Sequence, residues 1–74
     1  MAGSTTRHVS VTVNGVPRDV PAGSTLDALV DALAVGPRGI AVAVDRQVVP
    51  RSEWAALVVR AGSVVEIVSA AAGG

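Results

Sequence analysis

The sequence predicts an α+β fold: a four- or five-stranded mixed sheet with one main helix on one face and a short helical turn. Three observations predict it. Short runs of alternating polar and apolar residues recur along the chain, as half-buried strands require. One stretch only, Leu26 to Leu33, repeats its apolar residues at helical spacing. Turn-forming residues separate these runs, beginning with Asn14-Gly15.

Residues 1–6 carry no apolar pattern and read as a disordered lead-in. His8 to Val13 alternates at period 2, with Val9, Val11 and Val13 toward the core. A two-residue hairpin turn of type I′ needs positive φ at both positions, and Asn14-Gly15 suits it. Val16 to Val20 is the return strand. Pro17 offers no N–H to a neighbour, so this strand belongs at an edge. Pro21-Ala22-Gly23 breaks it. Ser24 and Thr25 are both candidate N-caps, and Asp27 puts a negative charge in the first helical turn either way. Leu26, Leu29, Val30 and Leu33 form one apolar stripe, giving a helix over 25–34 that Gly36-Pro37 closes.

Ile40 to Val44 is the next strand. Its large residues, Ile40, Val42 and Val44, face the helix, and Ala41 and Ala43 line the other side. Asp45-Arg46-Gln47 is a turn, and Val48-Val49 a very short strand stopped by Pro50. Ser52 is placed to cap one helical turn carrying Trp54, Ala55 and Leu57. Arg60-Ala61-Gly62-Ser63 is a turn, and Val64 to Val68 is the last strand. That strand is strongly β-branched and fits the sheet centre beside the first strand. This order and placement define the β-grasp, or ubiquitin-like, architecture over a single domain, residues 1–74.

Composition narrows the function classes. The chain has 74 residues, no cysteine and 50% apolar residues, so burial and not cross-linking must stabilise it. Phe and Tyr are absent and Trp54 is the one aromatic. Lysine is absent, and six arginines balance six acidic residues. Zero net charge argues against a nucleic-acid partner. No apolar run approaches the length of a membrane span. The first residues hold no hydrophobic signal region, so the expected location is cytoplasmic. One histidine, no cysteine and no usefully spaced carboxylate pair leave no catalytic residues and no metal site. His8 reads as exposed, Trp54 as a core lid, and Arg51 and Glu53 as a solvated turn. One helix covers one face of the sheet. The other face, with Ser10, Thr12, Ala41, Ala43, Val64 and Val68, stays open and is a candidate docking surface.

Beyond the last strand, Ser69-Ala70-Ala71-Ala72-Gly73-Gly74 has nothing to pack into a core and reads as a flexible tail. Extended, residues 69–74 reach about 20 Å. Gly73 and Gly74 have no Cβ, so they can thread a narrow channel and leave the terminal carbonyl uncrowded.

The chain resembles the ThiS family, the small sulfur carrier proteins of thiamine biosynthesis. The resemblance rests on Ala41 to Asp45, Val49-Pro50-Arg51 with Trp54, Val65-Glu66-Ile67-Val68 and the final Gly73-Gly74, and it covers about residues 8–74. Two positions depart from the family. Ser63 stands where Asp is usual after the turn glycine, and Ala70-Ala71-Ala72 stands where a bulkier apolar residue is common. The resemblance implies a protein substrate and not an enzyme. A separate E1-like activating enzyme would use ATP to adenylate the Gly74 carboxylate. A persulfide, supplied through a sulfurtransferase, would convert it to a thiocarboxylate, and thiazole synthase would receive the sulfur. The tail residues Ala71, Ala72 and Gly73 would enter the partner's active site. No cofactor would be bound by the chain itself. The docking candidates are Ala41, Ala43, Val64 and Val68.

Three other functions fit a β-grasp chain ending in Gly-Gly. The small subunit of molybdopterin synthase uses the same terminal chemistry, but such chains are longer and richer in Phe, and the Pro-Arg-x-x-Trp segment favours thiamine. A ubiquitin-like modifier would join Gly74 to a lysine of a target. A β-grasp binding module would not use the carboxylate at all.

Overall fold

A computed structural model of the chain describes residues 7–33 and 39–69. Among the described residues, five strands run as β1 (His8–Val13), β2 (Val16–Pro21), β3 (Ile40–Val44), β4 (Gln47–Val49) and β5 (Val64–Ser69). One helix, α1 (Leu26–Ala32), lies between β2 and β3, and a 3₁₀ turn covers Arg51–Glu53. The strands form one sheet in the order β2-β1-β5-β3-β4. β1 and β5 are parallel, while β1–β2, β3–β4 and β3–β5 are antiparallel. This is the mixed β-grasp sheet that the sequence predicts, with the last strand at its centre and the Pro17 strand at its edge.

The core follows from the alternation. Val11 and Val13 of β1, Val42 of β3 and Val65 of β5 turn inward and meet Leu26, Leu29 and Val30 of α1. Val9, Ile40, Val44 and Ile67 pack at its margin. Leu26 is fully buried, and burying such a side chain stabilises the fold by about 1.5–3 kcal/mol. Trp54 closes one side of this core, and its Nε1 donates to the Val49 carbonyl at 2.9 Å.

Between the two candidate caps the structure selects Thr25. Its Oγ1 accepts from the Ala28 N–H at 3.1 Å. The Leu29 N–H donates to the Thr25 carbonyl at 3.0 Å, Leu26 N–H to Leu57 O at 2.8 Å and Asp27 N–H to Trp54 O at 3.1 Å. The donors of the first three helical residues, Leu26, Asp27 and Ala28, are thereby satisfied from outside the helix, and the Leu29 bond is the first one within it. Two of the acceptors lie in the loop after the 3₁₀ turn, so that loop docks on the helix start. The same docking buries Val59, which the sequence reading leaves unassigned.

Several boundaries differ from the sequence reading. β2 runs on through Pro21, paired with His8, and β4 begins at Gln47, paired with Val44, so neither residue is outside its strand. The helix begins at Leu26 and its last residue is Ala32, with Leu33 as C-cap, and not over 25–34. The stop signal Gly36-Pro37 and the residue Ala34 lie outside the described residues, as does the lead-in 1–6. Ser52 is not a cap. Pro50 precedes the 3₁₀ turn, the Glu53 N–H donates to Pro50 O at 2.8 Å, and Ser52 sits inside the turn. Ser69 belongs to β5 and not to the tail, because Ile40 lies opposite it on β3.

Candidate functional site

Two regions carry the sequence-based site: the open sheet face and the C-terminal segment. Gly74, Gly73, Ala72 and Ala71 lie outside the described residues. The described chain ends at Ser69, the last residue of β5.

The open face is built by the same alternation that builds the core. On β5, Val65 is buried and Ile67 packs at the core margin, so Val64, Glu66 and Val68 point the other way. On β3, Val42 is buried, so Ala41 and Ala43 point outward. On β4, Val49 is buried and Val48 is 74% exposed. Val64 and Val68 are 44% and 61% exposed. Ser10 and Thr12 of β1 lie on this face as well, the first exposed and the second half-buried.

Strand register arranges these side chains into rows. Val48, Ala43 and Glu66 lie side by side across β4, β3 and β5. Ala41 and Val68 are opposite each other in the next row. An alanine methyl between longer neighbours leaves a depression. The result is a shallow concavity of about 250 Å³, bordered by Asn14, Ala41, Ala43, Val48, Glu66 and Val68. Val68, on its border, immediately precedes Ser69, the last described residue.

Of the four predicted docking residues, the structure brings Ala41, Ala43 and Val68 together. Val64 is on the same face but outside the depression, opposite Thr12 at the other end of β5. Sequence reasoning missed Val48, Glu66 and Asn14. The signal for the first two was available, because each alternates with a buried neighbour. Asn14 joins the site through tertiary contact alone.

The remaining candidates take structural places. Trp54 is buried in the core and not a docking anchor. His8, Arg51 and Glu53 are exposed. Ser63, where the resembled family has Asp, is buried, and its Oγ accepts from the Arg60 N–H at 2.9 Å. The hydroxyl therefore performs the turn-closing role open to a carboxylate. Among the described residues, no three of His, Cys, Asp and Glu come together as metal ligands. Among the same residues, no helix is long and apolar enough to cross a membrane.

Known proteins resemble this arrangement. The sequence profile of the ThiS family matches residues 11–74. The crystal structure of the thiamine biosynthesis protein (ThiS) from Geobacter metallireducens is similar in fold and sequence. It is 30% identical over 81% of this chain and 91% of that chain, with a TM-score of 0.70. No curated protein sequence matches the chain.

Proposed function

The chain belongs to the ThiS family, and from that premise we propose that it is a sulfur carrier for thiazole formation in thiamine biosynthesis, with the Gly74 carboxylate as its reacting group. A carboxylate resists nucleophiles until it holds a leaving group. A carboxylate oxygen of Gly74 attacks the α-phosphorus of ATP on a separate adenylating enzyme, and pyrophosphate leaves. The terminal sulfur of a persulfide then attacks the acyl carbon, and AMP leaves with the original oxygen. A thiol reduces the new S–S bond and frees the thiocarboxylate, whose sulfur passes to the forming thiazole.

In this reading the chain supplies position and not catalysis. ATP, the persulfide and their binding sites belong to the partners: the activating enzyme, a sulfurtransferase and thiazole synthase. The open face, with Ala41, Ala43 and Val68 in its depression and Val64 beyond it, docks the activating enzyme. Ala71, Ala72 and Gly73 enter that enzyme's channel. The need for ATP and a persulfide relay places the protein in the cytoplasm.

The observation that carries the reading is the extent of the family match, which runs through Gly73-Gly74. Intact-mass measurement after incubation with the activating enzyme, ATP and a sulfur source tests it. The expected gain is one sulfur in exchange for one oxygen. Conjugates to other proteins would make the chain a modifier instead. Deleting Gly74, or adding one residue after it, moves the terminal carbon by about 3.3–3.6 Å. Both changes are expected to abolish thiocarboxylate formation and leave the melting temperature unchanged, because glycine has no side chain to bury.

A further inference from the structure

β1 and β5 pair for only part of their length. The register runs Thr12↔Val64 and Val13↔Val65, and the Asn14 N–H donates to the Val65 carbonyl at 2.9 Å. There the first chain turns away into the Asn14-Gly15 hairpin, while β5 continues to Ser69. Strand alternation turns the peptide groups of Ile67 to the same side as those of Val65. On that side β1 has ended, and the side chain of Asn14 takes its place. Oδ1 accepts from the Ile67 N–H at 2.9 Å, and Nδ2 donates to the Ile67 carbonyl at 3.2 Å. A carboxamide offers one acceptor and a donor side by side, as a peptide unit does. It adds one rung to the ladder.

The other hairpin shows why the residue is Asn. Asp45 also stands first in a two-residue turn, with φ 50° like Asn14. Its main-chain N–H already donates to the Val64 carbonyl at 2.8 Å. Its side chain needs only to accept, and Oδ1 takes the Val64 N–H at 3.0 Å. At Ile67 both a donor and an acceptor are needed, and a carboxylate would set oxygen against oxygen. Asn supplies both and tolerates positive φ.

We propose that Asn14 is a positioning residue for activation of Gly74: β3 holds one edge of β5 through Ser69, the Asn14 carboxamide holds the other edge at Ile67, and the two together fix the root of the C-terminal segment. This rests on the sulfur-carrier reading. A segment that must present its last carbon to a partner's ATP can do so reproducibly only from a fixed origin. Misplacement near 1 Å already lowers such rates about a hundredfold.

Asn14→Gly tests the proposal, since Gly accepts the same φ and only the side chain is lost. By amide hydrogen exchange, Ile67 is expected to exchange about tenfold faster while Val65 is unchanged. In ATP–pyrophosphate exchange with the activating enzyme, kcat is expected to fall about tenfold with KM within about twofold. Asn14 also borders the docking depression, and a loss of docking would raise KM instead. Asn14→Asp keeps the acceptor and removes the donor. It is expected to lower kcat in the same way, and it carries the test if the Gly variant does not fold. Unchanged exchange at Ile67 in the Gly variant, or unchanged kcat in either variant with or without a raised KM, overturns the proposal. A wild-type chain that promotes no ATP–pyrophosphate exchange overturns the sulfur-carrier reading and this role with it, a failure distinct from one confined to the variants.

Discussion

Both faces of this sheet carry valine, and the valines of the two faces end in opposite environments. Beneath the helix, Val11, Val42 and Val65 are 1%, 1% and 0% exposed. On the other side, Val48, Val64 and Val68 are 74%, 44% and 61% exposed. Val64 and Val65 are adjacent in one strand, yet one is in water and the other in the core. β-Branched residues favour the extended backbone on either side. Only the side with a helix over it turns that preference into burial. The open side keeps apolar surface that folding does not use, which is what a docking surface needs.

Removing the cover should break the contrast most severely. Leu29 lies mid-stripe on α1 and is buried. Leu29→Ala is expected to lose about 2–5 kcal/mol by leaving a cavity, a large share of the ~5–15 kcal/mol that stabilises a typical domain. Thermal denaturation followed by circular dichroism reads this. A melt within a few degrees of the parent would mean that the helix is not the cover.

A matched pair on β5 sharpens the contrast. Val65→Thr places a hydroxyl in the core and is expected to lose about 1–3 kcal/mol. Val64→Thr makes the same chemical change one residue earlier and should stay within about 0.5 kcal/mol. Equal shifts of the two urea midpoints would erase the distinction between the faces.

Trp54→Phe addresses the rim of the covered side. It removes the donor to the buried Val49 carbonyl, for an expected loss of about 1–2 kcal/mol. Affinity for the activating enzyme should not change, because Trp54 does not reach the open face. Weakened binding by a folded Phe variant would assign Trp54 to the interface after all.

The smallest stability effect belongs to the open face. Ala43→Glu should move the unfolding free energy by no more than about 0.5 kcal/mol. Calorimetric titration with the activating enzyme should nonetheless show affinity lower on the order of tenfold, because a charge would be desolvated against an apolar partner. Undiminished affinity would remove this face from the proposed interface.

The sequence by itself determined which segments are strands and which is the helix, because the signal is local periodicity. Val9, Val11 and Val13 alternate, Leu26, Leu29 and Val30 share a stripe, and Asn14-Gly15 supplies the positive φ of a tight turn. It also gave Ala41, Ala43 and Val68 a common face, since period 2 fixes the side of a strand on which a residue lies. Tertiary structure decided what depended on atoms distant in sequence. Thr25, and not the adjacent Ser24, caps the helix, and the loop carrying Trp54 and Leu57 completes the helix start. Val59 is buried because that loop docks there. The depression includes Val48 and Glu66 because register sets them on either side of Ala43. Asn14 meets Ile67 across 53 positions of sequence. A turn residue announces its backbone conformation through its type, but its side chain finds a partner only when another strand is laid beside it.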